Sequence, residues 1–303
     1  MHQQDPHDLY EVEADLPRLD GPVLVQALDG FVDAGSAKRL ARAHLLQSHD
    51  SRVIATFDVD ALLDYRARRP LMTFDEDHWT GYADPLLAVH LAHDAEGTPF
   101  LVLAGPEPDV RWEAFTAAVG ELVVQLGVST TVGLNAIPMA VPHTRPLGII
   151  AHATRPELVA GHERWVGTVQ VPASAGHLLE YRLGQAGHDA AGFAVAVPHY
   201  LADAEYPAAA MSLLGSLAGL TGLSFATGAL ESAAADVRTQ VDETVAGSDE
   251  VRGVVEALER QYDAYLAGAG RSLLAEMGGS LPTAEQLGDE LERFLAEQTE
   301  EGS

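Results

Sequence analysis

The sequence predicts an α/β protein: a mixed, mostly parallel sheet covered by helices on both faces, followed by a C-terminal helical extension. Three observations carry this expectation. Short apolar runs alternate with helical patterns through the first three-quarters of the chain, the order that builds strand–helix–strand units. The runs are apolar at consecutive positions, as strands buried on both faces require. After about Pro207 such runs stop and helical periodicity alone remains.

Pro22 to Leu28 (PVLVQAL) is the first strand. A turn, DGFVDAGS, leads into a helix over about Ala37 to Gln47. Arg52 to Asp58 is the second strand, followed by a short helix around Ala61 to Arg66. Phe100 to Ala104 is the third and breaks at Gly-Pro. In the helix from Arg111 to Leu126, Trp112, Phe115, Val119, Leu122 and Leu126 recur at three- and four-residue intervals, a core-facing stripe. Strands follow at Ser129–Ile137, Gly148–Ala153 and Trp165–Val171, then a helix from about Ser174 to Ala186 and a last strand at Ala191–Val197. Helices are expected at Ala208–Leu220, Glu231–Val245, Glu250–Leu266 and Glu285–Gln298. The boundary is set at 225, with residues 1–225 as the α/β body and 226–303 as an acidic helical extension.

Charge and composition exclude several functions. The formal net charge is −27, and Lys38 is the single lysine of 303 residues. So acidic a surface repels nucleic-acid phosphates and anionic lipid, so neither partner is expected. With no cysteine, disulfides, thiolate catalysis and cysteine-ligated metals are ruled out. No window reaches the ~18 apolar residues of a membrane span, and the acidic start lacks the apolar core of a secretory signal. A cytoplasmic location is expected. Lys38 precedes Arg39 and therefore makes no Walker loop. Lysine Schiff-base chemistry would rest on this one residue, in a helical stretch beginning at Ser36, and is not expected. From residue 231 onward 17 acidic residues face 5 basic ones, a net charge of −12.

Four polar clusters sit at strand ends, where open α/β sheets bind ligands. Asp29 to Ser36 places Asp33 and Ser36 to cap the next helix; its glycines do not match a dinucleotide fingerprint. Glu107, Asp109 and Arg111 follow the third strand as a loop lock. Asn135 to Pro146 holds His143, Thr144 and Arg145 between prolines, where they could orient an anion. Val197 to Tyr206 carries His199, Tyr200, Asp203 and Glu205. His143 and His199 each follow a Val-Pro and could meet across the sheet edge. With Asp33 or Glu205 they would form a two-histidine, one-carboxylate metal site. Buried, hydrogen-bonded histidines are the preferred reading, and no metal or cofactor is assigned. No G-x-S-x-G nucleophile elbow is present. The candidate crevice comprises Asp33, Asp109, Arg111, His143, Arg145, His199, Tyr200 and Glu205.

Taken in order, GFVDAGSA, GPEPDVRWEAF, GLNAIPMAVPHTRP and VPHYLADAEYPAAAMSLL resemble the actinobacterial branch of the proteasome assembly chaperone 2 family over about residues 20 to 245. The resemblance implies a three-layer α/β/α sandwich of the phosphorylase/peptidase-like group. It also implies kinship with non-catalytic chaperones that dock proteasome α-subunits and work as dimers with a partner. It carries over no catalytic residue. The expected function is therefore that of a non-enzymatic, assembly-chaperone-like or protein-interaction protein, homo-oligomeric and possibly tied to a proteasome-related partner. The alternative is a small-molecule hydrolase, phosphorylase or ligand-binding protein using the strand-end crevice.

Overall fold

Among the described residues eight strands form one sheet in the order β1-β3-β6-β7-β2-β8-β10-β9. They are β1 (Tyr10–Val12), β2 (Val23–Asp29), β3 (Arg52–Phe57), β6 (Ala88–His93), β7 (Pro99–Pro106), β8 (Thr130–Met139), β9 (Ile149–Ala153) and β10 (Ala190–Pro198). The intervening β4 (Met72–Asp75) and β5 (His78–Tyr82) pair only with each other, as a separate hairpin. These come from a computed structural model that describes residues 6–47, 51–162 and 168–267. Two compact units divide the chain: residues 1–165 with 169–259, and residues 166–168 with 260–303. The first holds the whole sheet.

β7, β2, β8 and β10 run parallel at the centre. β6 is antiparallel to both β7 and β3, which turns β3 back to the central direction. Only β6 and the edge strands β1 and β9 run the other way. The sheet is thus mixed and mostly parallel in direction.

Alternation along the strands makes two cores. On one face Val25, Val102, Val132 and Phe193 pack with Ala37, Ala41 and Leu45 of α1 (Ala37–Leu46) and Leu213, Leu214 and Leu217 of α5 (Pro207–Thr221). On the other, Leu24, Leu28, Leu101 and Leu103 pack with Phe115, Val119 and Leu122 of α3 (Trp112–Gln125) and Leu179 and Leu183 of α4 (Ala175–Gln185). Helices therefore cover both faces, and the three-layer sandwich is present. The one-turn α2 (Val59–Leu62) is shorter than expected. α6 (Gly228–Gly247) lays Val237 and Val241 against the α5 side, and α7 (Asp249–Ala267) follows. Among the described residues no helix is long and apolar enough to cross a membrane.

Three differences from the sequence reading matter. β1, β6 and the β4–β5 hairpin lie where no strand was expected. Of the strand expected at Trp165–Val171, residues 168–171 carry none. β9 already occupies the free edge of β10, so no ladder remains for them there. The helix expected at Glu285–Gln298 lies outside the described residues.

Candidate functional site

β8 and β10 are paired up to Met139 and Pro198, so their two Val-Pro-His loops leave the sheet side by side. There the Tyr200 hydroxyl accepts the His143 backbone N–H at 2.8 Å and lies 2.7 Å from His143 Nδ1. The Asp242 carboxylate at Nε2 can only accept, so in the neutral imidazole Nδ1 is bare and takes the Tyr200 hydroxyl proton. Nε2 then carries the ring proton and donates to Asp242 Oδ1 of α6 at 3.2 Å. Arg238 Nε, 3.0 Å from Asp242 Oδ2, balances that carboxylate. His143 is 4% exposed and every polar atom of its ring is matched. Burial pushes the Tyr200 hydroxyl up to about 12, which keeps it protonated near neutrality. Next along the loop, Thr144 Oγ1 donates to Glu259 Oε1 of α7 at 2.5 Å, and Arg145 Nη1 lies 3.2 Å from the same oxygen. These groups fasten helices to strand ends.

Asp33 spends both oxygens on the start of α1, accepting Lys38 N–H at 2.7 Å and Arg39 N–H at 2.9 Å. Ser36 takes the N-cap position in a left-handed conformation (φ 49°), and its side chain makes no cap bond. Arg39 in turn reaches Glu205 at 2.6 Å. Gly35 exchanges backbone hydrogen bonds with Ala202 and Tyr206, closing this loop on the segment after β10. Asp109 serves a different loop: it accepts Asp64 N–H at 2.9 Å and Arg68 Nη2 at 2.5 Å. Arg111, left-handed at φ 60°, opens α3 with its carbonyl accepting Phe115 N–H. His199 stacks edge-on against Tyr200 at 5.4 Å. The structure thus groups His143, Arg145, Tyr200 and His199, links Asp33 to Glu205 through Arg39, and keeps Asp109 and Arg111 with a separate loop. Among the described residues no group of three or more His, Asp or Glu is placed to hold a metal ion.

Sequence reasoning passed over a second constellation. Lys38, on the first turn of α1, is 3% exposed. Around it lie the carboxylates of Asp33, Asp29 at the end of β2 and Glu107 just past β7. Burial holds its amine below the usual lysine range against the pull of those three carboxylates. Glu107 is 7% exposed, and its Oε1 accepts Ala175 N–H at the start of α4 at 2.5 Å. Beyond it, His177 Nε2 meets Asn135 Nδ2 at 3.0 Å and His152 Nδ1 meets Glu180 Oε1 at 2.8 Å. Between α4 and the sheet a void of about 10 Å³ touches Gln26, Asn135 and Thr131. The Thr131 hydroxyl is buried without a partner, and the void has room for one water to serve it.

Two further features lie on the surface. A groove of about 780 Å³ runs between α3 and α4, floored by Thr116, Gly120 and Val124, away from the strand ends. The β4–β5 hairpin exposes Leu71 (80%), Met72, Phe74, Trp79 (62%) and Tyr82. Its Phe74 and Trp79 rings meet edge-to-face with centroids 5.0 Å apart.

Layers, sheet order and braced strand ends are those of an α/β/α sandwich protein. The chain belongs to the PAC2 family, whose model matches residues 27–245. It is similar to the solved Mycobacterium tuberculosis protein of unknown function Rv2714, with 50% identity and a TM-score of 0.82 over 88% of this chain and 94% of that one. A Corynebacterium glutamicum protein of unknown function is 39% identical, TM-score 0.82, over 86% and 99%. The M. tuberculosis proteasome-assembly chaperone homologue Rv2125 is 26% identical, TM-score 0.70, over 77% and 99%. A comparison with curated proteins found no match.

Proposed function

We propose that this chain is a non-enzymatic, assembly-chaperone-like protein of the cytoplasm that works through protein contact, as a homo-oligomer with a proteasome-related partner. The observation that carries the reading is the β4–β5 hairpin. A lone two-stranded hairpin is marginally stable in water, yet this one turns five large apolar side chains outward. Clustered exposed aromatics of this kind mark an interface. Arg66, Arg68 and Arg69 immediately precede it, the densest basic run in a chain of charge −27. Arg66 is paired with Asp64 and Arg68 with Asp109, so what the hairpin offers a second copy of the chain is its apolar area. Support for the chaperone-like part comes from family membership and from the likeness to Rv2125.

Light scattering of the full chain, beside a Phe74→Ser/Trp79→Ser variant, tests the reading. Wild type is expected as an oligomer and the variant as a smaller species with an unchanged melting temperature. A monomeric wild type that also retains no purified proteasome α-subunit would refute it.

A further inference from the structure

Cross-strand pairing makes the β4–β5 hairpin one-sided. Met72 faces Tyr82 and Phe74 faces Trp79, and residues directly opposite share a face of the ribbon. All four are exposed. Thr73 opposite Gly81 and Asp75 opposite His78 form the other face. Each strand also has an outer edge with no strand beside it among the described residues. Such an edge is a template for another strand.

The two edges are not equal. Gly81 pairs with Thr73 and Trp79 with Phe74, so Thr80 is an extra residue in β5. A bulge of this kind interrupts the outward-facing backbone groups and blunts the edge. β4 has no extra residue. The Leu71 carbonyl accepts Ala83 N–H at 2.8 Å and so faces β5. By alternation, the N–H and C=O groups of Met72 and Phe74 point outward from β4.

Charge separates the edges as well. Asp75, Glu76 and Asp77 set three exposed carboxylates at the hairpin tip; Asp77 touches His78 Nδ1 at 2.8 Å and stays open to solvent. Arg69, just before β4, is exposed and makes no ion pair among the described residues. Asp84, just after β5, is also exposed. Antiparallel pairing of two identical strands lays the tip of each hairpin against the base of the other. Through β5 that would set Asp84 against the acidic tip, a repulsive contact. Through β4 it sets Arg69 there instead.

Building on the contact reading above, we propose that two copies join by their β4 edges, antiparallel about a two-fold axis at Thr73, into one four-stranded sheet. Centring on Thr73 lets Met72 of each copy exchange both backbone hydrogen bonds with Phe74 of the other. It also brings Arg69 level with Asp77 of the other copy. Symmetry makes every contact occur twice. Met72 and Phe74 lie on one face, so the two apolar faces become continuous. Three or more strands with such a face are stable where two are not.

The chain has no cysteine, so an introduced one reports a single position. Thr73 meets itself across the axis as a non-hydrogen-bonded pair, whose Cα atoms lie about 4.5 Å apart, within disulfide reach. Oxidation of full-length Thr73→Cys with copper-phenanthroline is expected to give a covalent dimer that reductant reverses, while Thr80→Cys stays unlinked. Arg69→Glu should weaken association about tenfold, read by light scattering on dilution, and Arg69→Glu/Asp77→Arg should restore it. Melting temperatures equal to wild type establish that each variant is folded. An oligomer in which Thr73→Cys links no faster than Thr80→Cys overturns the pairing and leaves the contact reading standing. So does a double variant no tighter than Arg69→Glu. A monomeric wild type overturns the pairing too, and the contact reading falls with it if no α-subunit is retained.

Discussion

The Tyr200 hydroxyl serves His143 twice, accepting its backbone N–H at 2.8 Å and facing its Nδ1 at 2.7 Å. One oxygen thus satisfies two polar groups of a residue whose side chain is 1% exposed. Tyr200→Phe removes both bonds and keeps the ring. Leaving buried groups unpaired costs about 1–3 kcal/mol, so urea unfolding should show a loss in that range. An unchanged midpoint would mean that water replaces the hydroxyl.

Gly105 in β7 is a sharper structural requirement. It has φ +127°, and a Cβ there would overlap the Leu86 carbonyl and lie 2.7 Å from Leu87 Cα. Backbone atoms of the incoming β6 cannot step aside without breaking the β6–β7 ladder. Gly105→Ala should therefore cost at least about 3 kcal/mol, the upper end of overpacking penalties, read as a lowered urea midpoint or loss of soluble protein.

Acid should weaken the fold through His90 of β6. Burial, aided by repulsion from Arg42, holds its imidazole below the ordinary value of 6.5. Below that value the unfolded chain takes up a proton that the folded chain declines. The contribution is therefore complete above about pH 6.5 and lost as pH falls toward the folded value. His90→Gln should flatten the fall in urea midpoint between about pH 7.5 and pH 5.5. An equal slope in both proteins would place the acid sensitivity elsewhere, His44 being the next candidate.

The Arg39–Glu205 pair offers the contrasting case. Its 2.6 Å contact joins two largely exposed side chains, and such pairs contribute little in water. Arg39→Ala should leave the urea midpoint within error. A clear drop would show that this pair carries the closure of the α1 loop on the segment after β10.

What was legible in the sequence followed burial on both faces. β2, β7, β8 and β10 read as strands because they are predominantly apolar runs in the sheet centre, and α3 read as a helix because one stripe packs on the sheet. β6 escaped notice because AVHLAH carries two histidines; His90 is placed by its neighbours. The hairpin escaped because its apolar residues face outward and its turn, Glu76-Asp77, is acidic. Trp165–Val171 read as a strand from its alternating valines, but Val169 and Val171 are exposed. At the strand ends, Asp33 was legible as a cap from its place before a helix. Lys38 was not, since its setting depends on Gly30 and on Glu107 from a strand about seventy residues away. Asp242, the partner of His143, lies ninety-nine residues from it in sequence.

Asp242 and Glu259 write the acidic helices into the polar accounting of the sheet. A chain ending at 225 would strip the imidazole of its acceptor and leave Thr144 and Arg145 without their shared carboxylate. Serial truncation, the usual way to map where a partner sits, would then report collapse before it reported binding. Single substitutions at outward positions of α6 are the safer map.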